Sequence, residues 1–473
     1  MAVFYNENEA KTRPGVYQRY TNIGQVATPG AKDGICAIPV RSFWGPLGKV
    51  VRNTGIKELE QNYGSAEYGA NHTIPAAVQL FRGGAAVVYT YRVGTGGTAA
   101  SKVLDTVITV TAKHPGAVIM AVSVQSKLGD SSTKVFSVYF GTEKVEEWEF
   151  AADGEAESAN LINATANSAY VVITASATVA EVSAVSVANG ALTGGVNPTV
   201  TNADYSAAYA AFEPYYYNTI CLDVDDDAGL TLSKLLQTYL DEAYRKGKLG
   251  IAVVGEKTTV AFASRLSHAR AFNDEKVVYL GGGWKSGTEN LDGALAIAYT
   301  SGVIASTAAN RGITHTVIQG ATELLESLTY AQYEDAINAG MLLPSMAPDG
   351  LIWYDSAINT LVTPDETTQD DGWKKIRRVK VRFELFDRLD RALAPKVGKV
   401  SADTDGVADV VQTGMRVLSA MTIEGKIRPG AVFVEDPDRP FKGDSAWFII
   451  QADDIDSLEK IYLQYQFRYS QVA

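Results

Sequence analysis

Cysteine is nearly missing: Cys36 and Cys221 are the only two in 473 residues, and they form no CxxC pair. That excludes a disulfide-stapled scaffold and fits a reducing compartment. Histidine is as scarce. His72, His114, His268 and His315 stand apart, with no HExxH pair to hold a metal. No apolar run reaches the ~18 residues of a membrane-spanning helix. The opening from Met1 to Glu9 has neither the basic nor the apolar segment of an export leader, so synthesis in a cytoplasm without a cleaved leader is expected. Positive charge is in the minority, 42 Lys and Arg against 54 Asp and Glu, for a net charge of -12. Nucleic acid is therefore not an expected partner, because phosphate binding needs a basic footprint.

Signatures of catalysis are thin as well. No GxSxG elbow is present, and nothing spaces Ser, His and Asp as a triad. Gly281-Gly282-Gly283 fits neither GxGxxG nor the phosphate-binding GxxxxGKS/T, so a tight strand exit is expected there. Asp223 to Asp227 resembles the start of a calcium loop. Ala228 stands where the turn needs Gly, and Lys234 where a bidentate Glu belongs, which leaves an acidic strand-to-helix loop. No cofactor and no metal are expected, and the chain is read as a non-enzyme.

What is present is the makeup of a globular protein, 46% hydrophobic and 20% charged. The length suits about three domains at ~150 residues each. Gly34 to Val40 and Ala85 to Val93 read as strands, Trp44-Gly45-Pro46 as a turn, and Ile74 to Phe81 as a helix. From Gly94 to about Asn202 the composition shifts to Ala, Val, Ser and Thr. Val107–Val110, Val118–Val124, Val135–Phe140, Tyr170–Thr174 and Val182–Val187 are predicted strands there, and Glu155–Ala166 a helix. This is the pattern of a β-sandwich or barrel inserted into a larger domain.

From Tyr205 the rhythm becomes α/β. Thr219–Val224, Gly250–Gly255 and Val277–Leu280 are predicted strands. Between them Leu232, Leu236 and Leu240 recur at helical spacing, and Gly247 suits the residue after the helix. Further helices are predicted around Val260–Ala269, over Ala294–Ala309, and from the capping box Thr329–Gln332 to Gly340. Strands separated by helices imply a largely parallel, doubly wound sheet. Lys374 to Arg382 is ambiguous, since its apolar residues fit both periods. A helix over Ala408–Ala420 and strands at 431–435, 446–451 and 461–469 complete the chain.

Both ends read as strands without a hairpin partner. At the C-terminus Ile461, Leu463, Tyr465, Phe467 and Tyr469 alternate with Tyr462, Gln464, Gln466 and Arg468. At the N-terminus stand Val3, Phe4 and Tyr5, then Val16 and Tyr17. Either these ends fold back onto their own sheet, or they add strands to neighbouring subunits. The basic run Lys374, Lys375, Arg377, Arg378, Lys380 and Arg382 is either a solvated face or a dock for an acidic partner.

Several stretches, in order, resemble contractile tail sheath proteins of myophages, R-type bacteriocins and related contractile injection systems. They are Arg13 to Tyr17, Ser42 to Pro46, Leu80 to Gly84 with Tyr91 to Val93, Thr111 to Gly116, Leu192 to Gly195, Ile358 to Thr363, Ala394 to Val400 and Asp456 to Tyr462. The resemblance implies a multi-domain α/β plus β fold with a central, subtilisin-like α/β domain (24–95 and 204–363). It implies an outward-facing inserted β domain (96–203), a C-terminal α+β domain facing a tube (364–458), and linking arms at 1–23 and 459–473. It further implies a structural subunit that polymerises as stacked hexameric rings around an inner tube and contracts to drive that tube through a target envelope. The implied partners are copies of itself, the tube protein, and baseplate and tail terminator proteins. Assembly would take place in a bacterial host cytoplasm. The basic run matches no stretch of the family; because it lies in the domain that would face the tube, it is expected to meet acidic groups there. The alternative is an α/β hydrolase-like enzyme with a β accessory domain.

Overall fold

A computed structural model describes residues 3–4, 17–18, 30 and 32–468. Val3–Phe4 (β1) and Tyr17–Gln18 (β2) form a short parallel pair. Ile35–Val40 (β3), Val50–Asn53 (β4), Ile56–Tyr63 (α1), Ile74–Arg82 (α2) and Val87–Arg92 (β5) follow. Next comes a β-rich stretch: Ser101–Leu104 (β6), Ile108–Ala112 (β7), Met120–Lys127 (β8), Asp130–Phe140 (β9), Glu143–Ala151 (β10), Glu157–Ala164 (α3) and Val171–Ala175 (β11). The α/β rhythm resumes with Asn202–Phe212 (α4), Thr219–Cys221 (β12), Thr231–Arg245 (α5), Ile251–Gly255 (β13), Phe262–Phe272 (α6) and Val277–Leu280 (β14). Then come Trp284–Ser286 (β15), Glu289–Leu291 (β16), Ala294–Ser306 (α7), Ala321–Leu324 (β17), Tyr330–Asn338 (α8), Met341–Leu342 (β18), Pro344–Met346 (β19) and Ile352–Tyr354 (β20). Ile376–Leu393 (α9), Thr404–Ile423 (α10), Val432–Glu435 (β21) and Phe448–Gln451 (β22) follow.

The centre is a seven-stranded sheet in the order β18-β14-β13-β12-β3-β5-β4, parallel except for β4. The order reverses between β3 and β12, so the sheet is doubly wound. Every residue of β13 and β14 is buried, because helices cover both faces. One face packs α2 and α7 through Leu80, Ile297 and Ile304; the other packs α4 and α5 through Tyr205, Leu236 and Leu240. Glycine lets α2 and α7 touch. A Cβ at Gly302 would lie 2.3 Å from the Leu80 carbonyl oxygen, and one at Gly83 would lie 2.2 Å from that of Tyr299. Gly247 follows α5 with φ +75, and Thr329 with Gln332 caps α8 reciprocally, both as the sequence indicated.

The β-rich stretch holds two three-stranded antiparallel sheets, β10-β9-β8 and β11-β7-β6, around one core that includes Val110, Val122, Phe136 and Leu161. Its chain leaves and returns through a narrow neck. Thr95 and Thr199 exchange backbone hydrogen bonds of 2.9 and 3.0 Å, and Thr98 and Val196 exchange two of 3.0 Å. The strand predicted at Val182–Val187 is not formed. Val185 makes a single bridge to Val124, and the Val182 amide is taken by the Glu157 carboxylate, so the segment touches the sheet without running along it. Glu143–Ala151 is a strand that the sequence did not suggest; a bulge between Lys144 and Glu146 shifts its alternation. The whole is a mixed α/β, multi-domain fold.

Candidate assembly surface

Several of the sheath-like stretches meet at two joints. At the first, the buried Arg92 guanidinium donates to the carbonyls of Ser42 (2.7 Å), Gly45 (2.7 Å) and Pro115 (2.8 Å). Burial pulls its pKa down to about 10, only partly opposed by Tyr63. The adjacent Trp44 stacks on Tyr170 and edges against His114, so this joint ties the central sheet to the β-rich stretch. At the second joint Asn359 donates to the carbonyls of Glu275 (3.1 Å) and Trp373 (2.6 Å), while Ile358 bridges Lys375 at the start of α9.

The mouth of the sheet at the β3/β12 reversal is filled by the protein itself. Asp223 is fully buried and accepts hydrogen bonds from Thr73 (2.5 Å) and Tyr205 (2.8 Å), with Arg41 donating to the same tyrosine. Burial raises the Asp223 carboxyl pKa, opposed by Thr73 and Arg41. Asp226 and Asp227 accept from backbone amides at the start of α5, so the acidic loop caps a helix. A Cβ at Gly281 would sit 2.2 Å from the Met341 sulfur, which fits the tight strand exit expected there.

The C-terminal region is open by contrast. α9, α10 and the β21–β22 hairpin share a small core around Val381, Leu418, Met421 and Phe433. Val434, Trp447 and Ile450 of that hairpin region are exposed, and the two-stranded ladder has no third strand among the described residues. The chain then turns back along the start of the hairpin. Arg428 N–H donates to the Asp453 carbonyl (2.8 Å), and Ile455 N–H to that of Lys426 (3.0 Å). Beyond Ile455 no ladder forms among the described residues. The strand predicted over 461–469 is not formed over 461–468, where no described residue lies alongside to complete its hydrogen bonds. Ile461, Tyr462, Leu463, Tyr465 and Phe467 are all exposed, Ile461 at 71% and Phe467 at 88%; Gln464 and Gln466 are exposed too. At the other end Val3 and Phe4 align with Tyr17 and Gln18, whereas Tyr5 and Val16 lie outside the described residues.

The basic run, expected to face acidic groups on a tube, meets partners within its own chain. Lys374 pairs with Asp371 (2.9 Å), Lys375 with Asp456 (2.8 Å) and Glu459 (3.0 Å), and Arg378 with Asp454 (2.6 Å). Arg382 reaches Asp370 (3.1 Å) and Asp454 (3.4 Å) and lies over the Trp373 ring. Arg377 donates to Ser457 (2.8 Å). Lys380 is buried and donates to the Ile304 carbonyl (2.5 Å) and to that of Thr307, capping the end of α7; burial pulls its pKa down to about 8. Since the segment is helical, its cations point several ways, and each finds a partner within the chain.

Residues 199–352 match the family model described as the phage tail sheath protein central domain. The sheath tail protein of Desulfitobacterium hafniense has a similar fold at 20% identity, covering 93% of this chain and 100% of that one, with a TM-score of 0.70. The sheath tail protein of Listeria innocua is similar at 18% identity over 90% of this chain and 96% of its own, with a TM-score of 0.68. The contracted helical sheath of the anti-feeding prophage gives a TM-score of 0.57 over 97% of this chain and 99% of that one, at 10% identity. The protein YqbK of Bacillus subtilis (strain 168) is 23% identical across 72% of this chain and 70% of its own length. The resemblance to contractile tail sheath proteins drawn from the sequence is thus borne out, and the fold is that of sheath tail proteins.

Proposed function

We propose that the chain is a non-catalytic structural subunit of a contractile tail sheath on a phage or phage-like particle. Subunits form hexameric rings stacked around an inner tube, bounded by baseplate and terminator proteins. Contraction drives the tube through the target envelope. The observation that carries this reading is the exposed, alternating segment from Ile461 to Phe467, following a hairpin whose edges are open among the described residues, in a chain with the sheath central domain. Such a segment completes its ladder on another copy, and the terminal arms link subunits by strand addition.

Magnitudes limit how this can work. Burying Ile461, Leu463, Tyr465 and Phe467 on a neighbour contributes about 1.5–3 kcal/mol for each side chain. Ordering the backbone costs about 1–2 kcal/mol per residue. The two are of similar size, so linkage depends on ladder hydrogen bonds and on how well the arm is aimed beforehand. Strand links that persist while domains move as rigid bodies would hold the sheath together during contraction. The work is stored as a difference in contacts between two packings, with the extended one trapped kinetically. Residues 96–203 are the outward-facing module in this reading.

Negative-stain electron microscopy of the purified chain tests the proposal. The full chain should form tubes or striated polymers, and a chain ending at Glu459 should stay a folded monomer. Normal sheaths from the truncated chain would refute the linkage.

A further inference from the structure

We propose that the N-terminal turn of α9 is an ionic latch that fixes where the C-terminal arm leaves the subunit. The inference deepens the sheath reading and rests on it for its role in assembly. Helix N-termini carry partial positive charge and favour acids. α9 does the opposite: its first turn holds no acid, while Lys375, Arg377 and Arg378 sit at or just inside its start. Nothing in the helix's own preferences explains cations there. Their partners do. Asp454, Asp456, Ser457 and Glu459, all from the root of the arm, meet these side chains at 2.6–3.0 Å. Arg378 grips Asp454 with two parallel hydrogen bonds of 2.6 and 2.7 Å, a geometry that fixes direction as well as distance.

Apolar packing does not hold this root. Leu458 is 83% exposed, and the segment borders an open cleft of about 720 Å³ lined also by Ile358, Leu361 and Lys374. Beyond the backbone bond from Ile455 N–H to the Lys426 carbonyl, the root crosses the surface pinned at separate polar points, most of them ionic. The last of them, Glu459, lies just before the alternating segment begins at Ile461. Asp454 and Arg378 are mostly buried, so salt screens their pair less than it would an exposed one. A root held this way presents the arm already aimed, which reduces the ordering left for assembly.

The test uses the full chain carrying Arg378→Asp, and the reversed pair Arg378→Asp with Asp454→Arg. Backbone hydrogen exchange at 454–460 is read on the monomer, and the critical concentration on the polymer. The single variant should exchange about tenfold faster at the root and need about tenfold more protein to polymerise, while the reversed pair recovers most of both. Arg378→Lys, which keeps the charge but loses the fork, should fall between and guards against misfolding of the reversal. Unchanged exchange in the single variant overturns the latch. Faster exchange with unchanged polymerisation overturns its role in assembly. A wild-type chain that never polymerises counts against the sheath reading, while the exchange measurement still decides the latch.

Discussion

β13 and the segment from Ile461 to Phe467 share a sequence character and meet opposite fates. Both are apolar enough to be strands. Ile251–Gly255 is buried at all five positions between two parallel neighbours, whereas Ile461–Phe467 has no strand neighbour among the described residues and is exposed throughout. A strand is a property of a pair, and the residues of one partner do not say where the other lies. In the central sheet both partners belong to one chain. At the C-terminus the proposal above places the partner on another copy.

The comparison can be broken or sharpened by perturbing each side. The largest effect is expected on the sealed side. Gly302→Val pushes a side chain into the Leu80 carbonyl across the α2–α7 contact, and should lower stability by about 2–3 kcal/mol in thermal or urea unfolding. Unchanged stability there would mean that the two helices are not held as closely as described. Acidification should come next. Burial, followed by Arg92, pulls the pKa of His72 down to about 4; the ring stacks on Phe43, and both its nitrogens lack a partner. The fold thus favours the neutral ring. That contribution is complete above pH ~6.5 and is lost as pH falls toward 4, a drop of at most about 3 kcal/mol that His72→Phe should flatten. The latch responds later. Burial alone would raise the Asp454 carboxyl, but Arg378 and Arg382 outweigh it and hold it below the usual range, with Asp370 close to the same arginines. Its contribution is present above pH ~4 and lost only below that, so the root should stay protected from exchange while the sealed domain is already weakening. The smallest effect on stability is expected from Leu463→Asp with Phe467→Asp. Both side chains are exposed, so the monomer should change by no more than about 0.5 kcal/mol in unfolding measurements, while polymerisation is lost.

Much of the architecture was legible because its causes are local. Leu232, Leu236 and Leu240 set α5 by their spacing, the Thr329–Gln332 box marks the start of α8, and the continuous apolar run at Ile251 reads as a strand covered on both faces. Other parts depend on distant residues. Lys374 to Arg382 fitted strand and helix alike; what its cations do is decided by Asp454, Asp456 and Glu459, more than seventy residues along the chain. The exposed arm was visible as a pattern. Its anchor was not, although basic residues opening an amphipathic segment, where a helix prefers acids, were a signal of cations engaged elsewhere. Phe386 falls at helical spacing with Ile376, Val379 and Phe383 yet is exposed, so periodicity alone overstates the apolar face of α9.

The neck at Thr95 and Thr199 has a consequence in time. β3 pairs with β12 in the middle of the sheet, with Cys36 opposite Thr219, and the whole β-rich stretch lies between them in the chain. At about 5–20 residues per second, a ribosome spends several seconds on that stretch after completing β3, β4 and β5. During that wait one edge of β3 is unpaired beside a finished half-sheet, and the zipped neck keeps the returning chain close to the strand that needs it. The hydrogen bonds joining Thr95 to Thr199 and Thr98 to Val196 thus shorten the effective loop that β12 must close, turning a distant pairing in sequence into a nearby one during synthesis.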